Sequence, residues 1–128
     1  MRILFDTHLL LWASEDASQL SDAAIAIIDD PRFTLVFSVV SIWEVVIKRS
    51  LDRPDFRFDS GVLRHALLGN GYEELPVTGA HAIAVQTLPP IHRDPFDRLL
   101  VAQASVEGIA LATADPILAR YPGAVRRV

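Results

Sequence analysis

The chain has 128 residues, 51% of them hydrophobic and 22% charged, with a formal net charge of −4 and no cysteine. That balance excludes a disordered chain, a disulfide scaffold, a thiolate metal site and a generally basic nucleic-acid binder, and it leaves carboxylates, histidines and backbone oxygens as ligands for any metal. No apolar run approaches the roughly 18 residues of a membrane span, and residues 1–6 break into charge too early for a secretory signal, so one domain over residues 1–128, in the cytoplasm, is expected.

Residues 2–5 are β-favouring and end at Asp6, after which residues 7–13 carry a helical apolar pattern through Leu9, Leu10 and Trp12. Ser21 is placed to cap a helix over residues 22–28, which Asp29-Asp30-Pro31 stops. A second strand follows at residues 34–37, and Ser41 with Glu44 fits the capping box of a helix running to about residue 50. That box is a sufficient structural reason for Glu44.

Residues 51–59, with Pro54 and alternating charge, read as a loop, and Ser60 is placed to cap a helix through residue 68 that Gly69-Asn70-Gly71 ends. A short strand at residues 74–77 precedes a helix opened by Thr78, which Pro89-Pro90 stops. Asp94 then occupies an N-cap and Pro95 the first helical position, with Phe96, Leu99, Leu100 and Ala104 at helical spacing. Val101 and Ala102 add apolar surface on other faces, so this helix is expected to be buried on most sides, with Asp97 in its first turn. A carboxylate there requires a cation, a metal or several hydrogen bonds to stay ionised.

After Gly108 come an apolar strand at residues 109–112, a cap and helix start at Asp115-Pro116, and an edge strand at residues 124–128. Strands alternating with helices, and lacking strict apolar alternation, predict an α/β fold: a central parallel sheet of four to five short strands with helices on both faces. In such a sheet ligands bind beyond the carboxyl ends of the strands. Asp6, Glu44, Asp94, Asp97 and Asp115 are all expected at that edge, and neither Asp6 nor Asp97 is needed there as a cap.

Four carboxylates converging within about 5–6 Å would repel pairwise by roughly 3 kcal/mol at an effective dielectric near 20. Such a cluster calls for a hard divalent cation, Mg²⁺ or Mn²⁺, and the chemistry that an all-oxygen site of this kind supports is phosphoryl transfer to water. Lys48, Arg49, Arg53, Arg57 and Arg64 fall in one segment interleaved with Asp52, Asp55 and Asp59, which reads either as a self-compensated face or as a local patch for an anionic partner.

Four motifs, Ile3-Leu4-Phe5-Asp6-Thr7-His8, Ser38-Val39-Val40-Ser41-Ile42-Trp43-Glu44, His92-Arg93-Asp94-Pro95-Phe96-Asp97-Arg98-Leu99-Leu100 and Thr113-Ala114-Asp115-Pro116, together resemble the PIN-domain ribonucleases of the VapC toxin type, in that family's order. The resemblance spans nearly the whole chain. It implies a PIN-like fold, a Mg²⁺- or Mn²⁺-dependent endoribonuclease, a homodimer, and inhibition by a cognate VapB-like antitoxin. Carried over position by position, it implies that Asp6, Glu44, Asp97 and Asp115 are the catalytic and metal-binding acids, with Asp94 supporting them.

Thr7 and Thr113 match the small hydroxyl positions beside those acids, and strand-end caps account for them equally well. Lys48, Arg49 and Arg53 become candidates for contact with RNA or antitoxin. His8 and His92 read as solvated or capping side chains rather than bases, because a metal can itself activate water. Trp12 and Trp43 read as core or dimer contacts. A dimer is also suggested by Leu9, Leu10, Trp12, Leu20, Ile25 and Ile28, which offer more apolar surface than a sheet of short strands easily covers.

Three other folds or functions compete for the same residues. A haloacid-dehalogenase-type phosphatase carries a second Asp where this chain has His8, and a receiver domain needs a Lys after a late strand where this chain's single lysine is Lys48. The third, a PIN-like module that binds RNA or a partner without turnover, would need no acid cluster, and all four acids are present.

Overall fold

The computed structural model describes residues 1–128. Five strands, β1 (Arg2–Phe5), β2 (Thr34–Ser38), β3 (Glu73–Leu75), β4 (Ala110–Thr113) and β5 (Val125–Arg127), form one sheet in the order β3-β2-β1-β4-β5, and every pairing is parallel. The helices are α1 (Thr7–Glu15), α2 (Asp22–Asp29), α3 (Val39–Ser50), α4 (Ser60–Gly69), α5 (Gly79–Ala84) and α6 (Pro95–Glu107). None is long and apolar enough to cross a membrane.

The absence of strict alternation in the strands follows from burial on both faces. Ile3, Phe5, Phe37 and Ala112 point into one core with Leu9, Leu10, Ile27, Leu63 and Leu67 from α1, α2 and α4. Their neighbours Leu4, Val36 and Leu111 point into the other, with Val40 of α3 and Leu100, Val101 and Ala104 of α6. Leu9 and Leu10 are thus fully covered, and the surplus of apolar surface expected over the N-terminal helices shrinks to half-exposed positions such as Ile25. The larger exposed apolar side chains on a single helix face are Val39, Trp43 and Val46 of α3.

The chain lays down β1, β2 and β3 outward in one direction, then crosses back through α6 to place β4 on the other side of β1. The strand order therefore reverses between β1 and β4, and the loops leaving these two strands diverge to open a crevice at their carboxyl ends. Asp6 ends β1 there. Its N–H still donates to Ala112 O of β4 at 3.1 Å while its carboxylate caps α1 by accepting from Leu9 N at 3.0 Å, so Asp6 is an N-cap after all.

Other element starts also differ from expectation. Helix α3 begins three residues early: β2 runs directly into it, and the Ser38 hydroxyl, rather than that of Ser41, accepts from a first-turn amide, Val40 N. No Ser41–Glu44 capping box forms, and Glu44 lies mid-helix, facing inward. Ser38 also lies 2.5 Å from Gln103 Oε1 of α6, which ties the start of α3 to the helix crossing it. Helix α4 is capped by Asp59 instead of Ser60, and Asp115-Pro116 opens only a turn before a short 3₁₀ segment, Leu118–Arg120.

Pro95 at the first helical position of α6 and Gly108 beyond its end stand where the sequence put them; Gly108 adopts φ 67, the left-handed conformation that closes a helix without a Cβ clash. Because Leu111 is fully buried in a central strand, Leu111→Ala is expected to cost about 2–5 kcal/mol in urea denaturation. A loss under about 1 kcal/mol would contradict its place between two covering layers.

Candidate metal centre

The crevice at the β1–β4 switch is lined by acids from four segments: Asp6 after β1, Glu44 from α3, Asp94 and Asp97 from the start of α6, and Asp115 after β4. Oxygens of Glu44, Asp94 and Asp97 lie within 4.8 Å of one another, and so do the nearest ligand atoms of His92, Asp97 and Asp115. Asp97 belongs to both groups. The four acids expected to converge, and Asp94 with them, therefore line one crevice.

Most of these carboxylates are held by donors that the fold supplies. Thr113 Oγ1 donates to Asp6 Oδ2 at 2.5 Å, a hydrogen bond that spans the switch point. Thr7 Oγ1 donates to Glu44 Oε1 at 2.5 Å and lies 2.9 Å from Ser41 Oγ. Asp94 caps α6, accepting from Phe96 N at 2.8 Å and Asp97 N at 3.3 Å. Asp115 accepts from Ile117 N at 2.8 Å. Both threonines are thus carboxylate donors, and Thr113 Oγ1 accepts from Asp115 N as well.

Asp97 is the exception. No hydrogen bond reaches its carboxylate; His92 Nε2 lies 3.4 Å from Oδ2. Burial, followed by repulsion from Asp94, Glu44 and Asp6, pushes its carboxyl up to about 8, against the pull of Lys48. Burial raises Asp6 to about 6, although Thr113 and the Leu9 amide both favour its charged form. At Asp94 burial also pushes upward, but the Lys48 ammonium prevails and holds it below the ordinary carboxylate range. At Asp115 the Ile117 amide and His92 prevail over burial in the same way.

Two placements, those of Lys48 and His92, were not foreseen from the sequence. Lys48, one turn beyond Glu44, folds into the crevice and donates to Glu44 Oε2 at 2.7 Å and Asp94 Oδ2 at 2.9 Å. The i,i+4 spacing from Glu44 is the local signal that could have found the first of these bonds. His92 is neither solvated nor a cap: its Nε2 lies 3.0 Å from Asp115 Oδ2, while its Nδ1 accepts from Asp94 N at 3.0 Å. His8, expected to be solvated or capping, is half-exposed at the rim, 3.4 Å from Asp55 Oδ2 and against the rings of Trp12 and Phe56.

Of the other basic candidates, Arg49 and Arg53 are half-exposed, and Arg53 lines the mouth of the crevice. Trp43 is 56% exposed and packs edge-on against Phe96, so it belongs to the surface and not to the core.

The donor set fits a hard divalent cation. The crevice gathers carboxylate oxygens with no thiolate, and the Asp97 carboxylate is partly buried among like charges without a donor of its own, which is the place where a cation returns the most free energy. Asp6, Asp97 and Asp115 are the acids there that Lys48 does not contact.

The PIN domain family model matches residues 3–124 of the chain. Among solved structures, the chain resembles one from the VapBC2 complex of Rickettsia felis bound to a promoter DNA fragment (TM-score 0.71, 14% identity, 99% of this chain and 98% of that one). It also resembles one from DNA-bound VapBC of Salmonella typhimurium (TM-score 0.70, 13% identity, 99% and 98%) and one from a toxin–antitoxin complex of Klebsiella pneumoniae (TM-score 0.65, 19% identity, 97% and 95%). No curated protein matches the sequence. At these identities the structures speak for the fold alone.

The raised carboxyls fix the sign of a pH effect. Asp97 at about 8 and Asp6 at about 6 titrate above their unfolded values, so as pH rises from about 4 to 8 the unfolded chain loses these protons first and the metal-free protein loses stability. Melting temperature without metal is expected to fall across that window, and Asp97→Asn to flatten the fall and raise stability at pH 8 by on the order of 1–3 kcal/mol. Mn²⁺ should then stabilise the wild type more than the variant. A variant less stable than wild type at pH 8 without metal would refute this electrostatic account.

Proposed function

The chain belongs to the PIN domain family, and on that premise we propose that it is a VapC-type toxin, a single-domain cytoplasmic endoribonuclease that hydrolyses RNA with Mg²⁺ or Mn²⁺ and is silenced by a VapB-like antitoxin. The observation that carries this reading is the partly buried, donor-less Asp97 carboxylate amid Asp6, Glu44, Asp94 and Asp115 at the strand-order switch. In this reading Asp6, Glu44, Asp97 and Asp115 form the acid cluster that gives the ion its site. The ion supplies Lewis acidity and an activated water for attack on the scissile phosphate.

The remaining work falls to side chains of the chain. Thr113 and Thr7 hold Asp6 and Glu44 in fixed rotamers, so the site pays little reorganisation when substrate arrives. The N-termini of α1 and α6 point at the crevice and favour the negative charge of acids and phosphate alike. Arg53 at the mouth and Arg49 nearby are suited to neighbouring phosphates, or to acidic side chains of an antitoxin. An antitoxin basic residue entering the crevice would compete with the ion for the same carboxylates. The toxin–antitoxin complexes among the structural neighbours support a partner of this kind. The apolar row Val39, Trp43 and Val46 supports a homodimer packed through α3.

The decisive assay is cleavage of RNA by the purified, antitoxin-free protein. Cleavage is expected with Mg²⁺ or Mn²⁺, to vanish with EDTA, and to fall at least about a hundredfold in Asp97→Asn while the circular dichroism spectrum is kept. Metal-saturated protein that binds RNA without cutting it would instead identify a binding module without turnover. For the basic rim, Arg49→Glu with Arg53→Glu should weaken RNA binding and flatten its salt dependence, because fewer phosphate contacts release fewer counterions; an unchanged salt slope would remove these arginines from the RNA path.

A further inference from the structure

The two groups of ligand atoms that meet at Asp97 are not equivalent. In the group formed with Glu44 and Asp94, both partner carboxylates share the ammonium of Lys48. Glu44 accepts from Thr7 on Oε1 and from Lys48 on Oε2. Asp94 accepts from two α6 amides on Oδ1 and from Lys48 on Oδ2. The ammonium common to both belongs to the chain's single lysine.

Lys48 is also held firmly. Its side chain is 13% exposed, and Nζ lies 4.9 Å from the Phe56 ring centre and 5.5 Å from that of Phe96. Two charge-assisted hydrogen bonds and two aromatic faces fix a positive charge between Glu44 and Asp94, where a second metal ion would otherwise lie. A divalent ion placed there would meet the like charge of that ammonium, which both carboxylates already hold.

The other group contains no cation of the chain's own. His92 Nδ1 receives the Asp94 amide hydrogen, which leaves the ring hydrogen of the neutral imidazole on Nε2, directed at Asp115. A nitrogen that carries hydrogen is a donor and not a ligand, so His92 orients Asp115 and leaves Asp97 and Asp115 of that group open to an ion, with Asp6 lining the same crevice and also free of Lys48.

We propose that Lys48 stands in permanently for a second metal ion, so that the crevice binds one divalent cation, on the Asp6–Asp97–Asp115 side, with Glu44 and Asp94 positioned by the lysine. This rests on the reading of the crevice as the metal centre of a nuclease, a reading that one ion or two would satisfy equally. Lys48 is accordingly a positioning residue, and substituting it changes how many ions bind.

The test is a count of bound Mn²⁺ per EDTA-stripped full-length chain, read from the loss of the free-ion electron paramagnetic resonance signal. Wild type is expected to bind one ion. Lys48→Met, which keeps the length of the side chain and removes its charge, is expected to bind two, and Asp94→Asn, whose lost carboxylate faces the lysine, still one with affinity within about threefold. Two ions on wild type, or a folded Lys48→Met that binds one, overturns the proposal and leaves the nuclease reading standing. Should Lys48→Met fail to fold, the other pair decides: a count that drops on Asp94→Asn makes Asp94 a ligand and overturns the proposal, whereas one ion on both supports it. No ion on wild type overturns the proposal and the nuclease reading together.

Discussion

Everything at the functional edge of this molecule depends on holding five carboxyl groups together against their own repulsion. Two charges 4.8 Å apart, the reach within each ligand group here, repel by about 3 kcal/mol at an effective dielectric near 20. The fold opposes that with local donors: a threonine hydroxyl on Asp6, another on Glu44, backbone amides on Asp94 and Asp115, and a lysine between Glu44 and Asp94. Asp97 alone receives nothing, and the cost appears as a carboxyl pushed up to about 8. The two cores, one on each face of the sheet, supply the stability that lets the arrangement persist.

Topology decides why the acids meet here. A parallel sheet puts every strand's carboxyl end, and the start of each following helix, on one edge, so acids near strand ends and helix starts share that edge by construction. Reversal of the strand order between β1 and β4 then opens the gap into which they face. The Asp6–Thr113 hydrogen bond closes the floor of that gap, linking residues 107 positions apart in the chain. It couples the integrity of the sheet directly to the geometry of the site.

What could be read from the sequence follows the range of the signals involved. Asp94 as a cap, Pro95 as the first helical residue and Gly108 beyond the helix end are local signals, and all three stand in the structure. The strand at β1 and the parallel architecture were legible for a similar reason, because near-continuous apolar runs mark strands covered on both faces. Glu44 was placed near the correct edge for the wrong local reason, since β2 feeds straight into α3 and shifts the cap to Ser38. The inward turn of Lys48 and the engagement of His92 depend on partners 46 and 23 residues distant, Asp94 and Asp115, and no periodicity reports contacts of that kind. The apolar surface attributed to the N-terminal helices proved largely to be core, because Leu9 and Leu10 pack in one cluster with Ile27, Leu63 and Leu67 of α2 and α4 and with Ile3, Phe5 and Phe37 of the sheet.

The central claim is that this edge of the sheet exists to hold a divalent cation on Asp97. Anomalous diffraction from crystals of the protein soaked in Mn²⁺ tests it most directly. The account predicts a peak within bonding distance of the Asp97 carboxylate and of Asp6 or Asp115. A peak only elsewhere, or none in the crevice at saturating Mn²⁺, would contradict it.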